Sequence, residues 1–235
     1  MLWLWDPRLL LFLLPGLLLG MWAQARIRSA YARASRVRSR RGLTGAETAR
    51  SIMDYEGVTG VDVEATPGFL SDHYHPLLHK LRLSEEVYAG DSLAAVGIAG
   101  HEVGHAIQHA QHYVPMYLRS ALVPLHTVGS ILGQLALGVG AFLAFYGFWI
   151  GKWMLLGGIV GFAIVFLFSL VTLPVEFNAS RRALEILTHR GLIDRDEVPE
   201  VKGVLDAAAL TYVAGAVSIL GTLLQLIFLF NRSRD

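Results

Sequence analysis

The sequence predicts a mainly α, polytopic membrane protein of about four transmembrane helices, with a small α+β portion in water. Three observations predict it. Of the 235 residues, 54% are apolar and only 17% charged, where an average soluble domain is about a quarter charged. The charges are gathered into blocks, with 33 of 39 falling in residues 26–120 and 176–206. Between the blocks lie runs that are nearly free of charge. So apolar a chain is not disordered. With no cysteine it has no disulfides, thiolate metal sites or cysteine nucleophiles. A net charge of +1 gives no reason to expect nucleic acid.

The spans come first. Residues 9–25 and 207–230 carry no charge, and residues 121–175 carry one, Lys152. A bilayer core about 30 Å thick takes roughly 20 helical residues. The outer runs therefore cross once each and the middle run twice, turning near Tyr146, Gly147 and Lys152. The predicted spans are about 4–25, 123–146, 152–173 and 207–230. Seven arginines between Arg26 and Arg41 follow the first span with no acid among them. Basic flanks stay cytoplasmic, so the first helix runs inward and the last leaves the C-terminus outside. That topology keeps 16 of the 20 Lys and Arg residues inside, with Arg8, Lys152, Arg232 and Arg234 outside. Ala23-Gln24-Ala25 resembles a signal-peptide cleavage site, but the Arg run on its far side favours an uncleaved anchor. The organisation expected is an anchor (1–25), a cytoplasmic portion (26–122), a transmembrane hairpin (123–173), a cytoplasmic helical segment (174–206) and a last span with its tail (207–235).

In the first aqueous segment, Thr44 followed by Glu47 reads as a capping box opening a helix that runs to about Glu56. Val58, Val61 and Val63 suggest a short strand, and Pro67-Gly68 a turn. Lys80-Leu81-Arg82-Leu83-Ser84 alternates as a half-exposed or edge strand does. Such a strand could take up an extended peptide. Asp91-Ser92 can cap a helix from Leu93 to about Gln111.

That helix contains His101-Glu102-Val103-Gly104-His105. Residues four apart share a helix face, so both imidazoles can reach one ion while Glu102 reaches a bound water. A catalytic zinc site has three protein ligands and one open position. His109 and His112 read as histidines near a helix end. The third ligand must come from elsewhere, and Glu176, in Pro174-Val175-Glu176-Phe177-Asn178-Ala179-Ser180, is the strongest candidate. Two spans separate it from His105, which returns it to the same side of the membrane. Pro174 would sit in the first turn of its helix.

The chain resembles the YugP-type membrane neutral zinc metallopeptidases. The matching blocks are Leu43-Thr44-Gly45-Ala46-Glu47, Asp72-His73-Tyr74, Leu83-Ser84 with Val87-Tyr88, and Ala94-Ala95-Val96-Gly97 leading into His101 to Gln108. The last block runs from Leu173 to Ser180. The resemblance implies a zincin-like α+β catalytic portion, zinc as cofactor, His101, His105 and Glu176 as its ligands, and Glu102 as general base. It also implies polypeptide substrates, membrane proteins among them, and a bacterial cytoplasmic membrane, on whose cytoplasmic side the basic flank places the site. More distantly the chain is similar to the HtpX-type peptidases, which usually carry Asp where this chain has Ser180. The carboxylate that would orient a ligating His is therefore open between Asp72, Asp91 and Asp206. Tyr212 and Arg181 are candidate oxyanion donors, with Tyr74 and His73 behind them. Two other readings compete. One is an intramembrane protease using Asp206 as third ligand, suggested by Leu205-Asp206-Ala207. The other is a non-catalytic membrane scaffold whose structural metal takes His109 as fourth ligand.

Overall fold

A computed structural model describes residues 7–232. Residues 4–6 of the first predicted span, and Arg234, lie outside the described residues. The elements in chain order are α1 (Pro7–Ala34), α2 (Gly45–Glu56), β1 (Asp62–Thr66), β2 (His73–His75), β3 (Lys80–Ser84), α3 (Glu85–Ala89) and α4 (Leu93–Ala110). Then come α5 (Val114–Leu135), a π turn (Ala136–Gly140), α6 (Ala141–Phe145), α7 (Trp149–His189) and α8 (Val198–Arg232). Among the described residues, four stretches of helix are long and apolar enough to cross a bilayer: Leu9–Ala34, Val114–Phe145, Trp149–His189 and Val198–Arg232. Each overlaps one predicted span, and the chain is a mainly α polytopic membrane protein with a small three-stranded sheet.

The helices outrun the apolar stretches that revealed them. α1 continues to Ala34 because Ala and Arg, which dominate residues 23–34, are strong helix formers in water. The helix expected to start at Pro174 does not start there. Pro174 and Glu176 lie well inside the 41-residue α7. Proline is tolerated inside apolar helices where neighbouring groups satisfy the freed backbone. Glu176 is thus no helix-N-terminal acid held by the dipole, the competing account of an acid at this position.

The chain divides into two compact units. The first comprises the residues up to Trp22, Leu118–Leu173 and the residues from Thr211. It packs through small residues, as helices do where no water drives them together. A Cβ on Gly129 would lie 2.6 Å from the Gly161 carbonyl oxygen, and one on Gly161 2.5 Å from that of Gly129. Leu155, Leu226 and Leu229 are buried beside Ala136 and Ala141.

The second unit comprises Ala23–Tyr117 and Pro174–Leu210. Here α2 begins with the capping box: Thr44 Oγ1 accepts from the Glu47 N–H at 3.2 Å, and the Thr44 N–H donates to Glu47 at 2.8 Å. Ser92 caps α4 through the Ala95 N–H. The sheet order is β1-β3-β2, with β1 parallel and β2 antiparallel to β3. Lys80–Ser84 is therefore the central strand, not an edge. Its alternation arises because Leu81 and Leu83 are fully buried while Lys80 and Arg82, on the other face, both pair with Glu64 of β1 at 2.6 Å. The edge that remains beside α4 is β2, which the sequence did not announce. Leu81, Leu83, Val87, Leu93, Val96 and Ile107 share one core with Ile52, Leu187 and Val201.

α4 meets α7 closely. A Cβ on Gly104 would sit 2.6 Å from the Ala179 carbonyl oxygen, a backbone atom that cannot turn aside. Gly104→Ala should force the helices apart and lower stability by about 1–3 kcal/mol, read as a fall in melting temperature of the detergent-solubilised protein. An unchanged melting temperature would contradict this packing.

Candidate metal centre

His101 and His105 project from one face of α4, and Glu176 faces them from α7. Glu176 Oε2 lies 3.3 Å from His101 Nε2 and 3.5 Å from His105 Nε2. The three groups offer ligand atoms within 4.8 Å of one another, and among the described residues they form the one such group of three. The two imidazoles stand nearly perpendicular, 82° apart with centroids 4.8 Å apart. Glu176 is 2% exposed and Glu102 8%.

The far side of each imidazole is also held. Fully buried Gln108 donates through Nε2 to the Val175 carbonyl at 2.8 Å and to Asn178 Oδ1 at 3.0 Å. With its donors committed, its Oε1 accepts from His105 Nδ1–H at 3.0 Å. That tautomer leaves the lone pair on Nε2, pointing at a carboxylate. Ser180 Oγ stands 3.1 Å from His101 Nδ1 and anchors that ring. Two imidazole nitrogens facing a buried carboxylate need a proton or a metal cation between them. Burial opposes charge on His105, yet Glu176 and Glu102 outweigh it and hold its pKa above the ordinary imidazole value. Two imidazole nitrogens and a carboxylate oxygen, with no thiolate, form a donor set that suits zinc.

Glu102 has a different partner. Its Oε2 accepts the backbone N–H of Tyr74, on β2, at 3.0 Å. The edge strand and the Glu of the His-Glu-x-x-His string are thus joined directly.

Other candidates lie elsewhere. The three aspartates offered as orienting groups are engaged with other partners. Asp72 accepts from the Ser84 N–H at 2.7 Å, Asp91 pairs with Arg38, and Asp206 pairs with Lys202 one helical turn away. Their place is taken by Ser180 and Gln108. Both were legible in principle, since Gln108 is three residues past His105 and Ser180 four past Glu176, on the faces that matter. His109 also stands outside the group, its Nδ1 lying 2.8 Å from the Tyr74 hydroxyl. Arg181 lines a cavity of about 480 Å³ with Phe177, Leu205 and Asp206. Tyr212 belongs to the first unit, and the His73 Nδ1 lies 2.8 Å from the Ser71 carbonyl.

A buried glutamate opposite a His-Glu-x-x-His helix, in a chain with four bilayer-length helices, is the arrangement of a membrane-bound zinc-metallopeptidase class. The chain belongs to the family described as "putative neutral zinc metallopeptidase", which matches residues 9–231. It is 44% identical over 218 residues to the "Putative membrane protease YugP" of Bacillus subtilis (strain 168), covering 92% of this chain and 94% of that protein. No solved structure matches it.

Proposed function

We propose that the protein is a membrane-embedded zinc metallopeptidase in which His101, His105 and Glu176 ligate the metal and Glu102 is the general base. The observation that carries this reading is the convergence of two Nε2 atoms on the buried Glu176 carboxylate. Three ligands leave a fourth position open. A zinc ion there would supply Lewis acidity, acidifying a water and polarising the scissile carbonyl. Glu102 accepts the proton of the attacking water and delivers it to the leaving amine. Its hold on the Tyr74 N–H fixes the carboxylate, so the second oxygen is the one presented to water. Gln108 keeps His105 in the ligating tautomer, and Ser180 anchors the His101 ring.

The substrate in this reading is an extended polypeptide, membrane proteins included, pairing with the outer edge of β2. The Arg run after the first apolar stretch supports a site on the cytoplasmic face of a bacterial cytoplasmic membrane. Chelation tests the reading. The full chain in detergent should cleave an unfolded reporter polypeptide, lose that cleavage on treatment with 1,10-phenanthroline, and regain it with stoichiometric zinc. Cleavage that persists in protein stripped of metal would overturn the proposal.

A further inference from the structure

An amide side chain can turn end for end, exchanging its donor for its acceptor at almost no steric cost. Two such amides, Gln108 and Asn178, stand in series behind His105. The second is held by Arg182, one turn further along α7. Arg182 Nε donates to Asn178 Oδ1 at 2.7 Å, and Gln108 Nε2 donates to the same oxygen at 3.0 Å. Gln108 Oε1 in turn lies 3.0 Å from His105 Nδ1. The guanidinium is itself seated, donating through Nη1 to Gln111 Oε1 at 2.6 Å and lying 6.0 Å from the centre of the Tyr113 ring.

Arginine only donates, so the atom that Asn178 turns toward it has to be its oxygen. An oxygen there obliges Gln108 to offer its NH2 group, the orientation that the Val175 carbonyl also demands at 2.8 Å. Gln108 then has only an acceptor left for His105, and a ring proton sits on Nδ1. Were Asn178 turned, two NH2 groups would face each other in a buried site. Gln108 would lose a bond, or turn as well and claim the lone pair of Nδ1, which moves the ring proton to Nε2. We infer that Arg182 is a positioning residue for the candidate metal centre: through Asn178 and Gln108 it keeps a proton on His105 Nδ1 and leaves Nε2 for the ion. The inference rests on the reading of His101, His105 and Glu176 as ligands. The part of Arg182 is that of a donor that cannot accept, a property that lysine shares and methionine lacks.

Two measurements on the full chain in detergent test it. One is zinc affinity, by competition with a chromophoric chelator. The other is the His105 Nδ1–H resonance of zinc-loaded protein labelled with 15N-histidine. Arg182→Met should bind zinc about tenfold more weakly, the lower end of what loss of an orienting partner costs. Its Nδ1–H resonance should move upfield as the bond to Gln108 weakens. Arg182→Lys should match the wild type in both measurements. So should Gln111→Ala, which removes the other partner of the guanidinium and leaves Asn178 paired. Wild-type affinity in Arg182→Met overturns the inference. Weaker zinc with an unmoved resonance, or a loss that lysine does not restore, marks a merely structural role and overturns it too. Should Arg182→Met fail to fold, Asn178→Leu cuts the same chain at its middle, with the same two losses expected. A wild type that binds no zinc refutes the reading of the centre instead, and the Nδ1–H resonance of the metal-free protein then decides the role of Arg182 by the same comparison.

Discussion

Glu102→Gln is expected to keep its zinc and lose its activity. The amide has nearly the shape of the carboxylate and can still accept the Tyr74 N–H through its oxygen, so β2 and α4 stay in place. What it cannot do is take a proton from water. General acid–base catalysis contributes about 10²–10⁴-fold, and kcat against an unfolded polypeptide should fall by that much. Zinc content, measured on the same preparation by atomic absorption, should remain one tight equivalent. A zinc-loaded variant cleaving at the wild-type rate would remove Glu102 from the chemistry.

Glu176→Gln separates binding from catalysis in the opposite sense. It replaces a fully buried carboxylate by an amide, and the charge that draws a cation to the two Nε2 atoms is gone. Loss of a partner that merely orients a ligand costs about 10–100-fold in metal affinity. Loss of a ligand should exceed that, and dialysis should return a protein without the tight equivalent. Because a ligand bound only to the native state raises stability, chelator should lower the wild-type melting temperature and leave the variant's unchanged. Tight zinc in Glu176→Gln with loss in Asp206→Ala would transfer the third-ligand role to Asp206.

Much of the fold was legible because its signals are local. An uncharged run long enough for a bilayer, a Thr44–Glu47 capping box and a Ser92 cap each declare an element within a few residues. What failed depended on distant neighbours. The Lys80–Ser84 alternation shows that one face is buried, but not whether a strand pairs on one side or two. The answer lay in Glu64, which neutralises Lys80 and Arg82 from β1. β2 is three residues of His-Tyr-His, too short to show a period. Pro174 looked like a beginning because proline favours first turns in water, whereas its helix had already run for 25 residues from Trp149.

At the candidate centre the helix spacing of His101 and His105 was readable at once. Glu176, far away in sequence, is tied to them by the even number of membrane crossings between. Ser180 and Gln108 carry no charge, and nothing local in the sequence beyond their helical spacing marks them as partners of the imidazoles. The role of Gln108 follows from a tautomer, which depends on where Val175 and Asn178 fall in three dimensions.

The hydrogen bond from Tyr74 to Glu102 gives the short strand a thermodynamic reach beyond its length. An outer edge that a peptide would recognise and a carboxylate that would move its proton meet at one residue, Tyr74, so order in either is linked to order in the other. Linkage runs both ways. A chain that settles onto β2 narrows the orientations open to Glu102, and a Glu102 already oriented lowers the entropy cost of settling. Discrimination between a bound and an unbound polypeptide can then reside in the rate of the chemical step as well as in the strength of the contact.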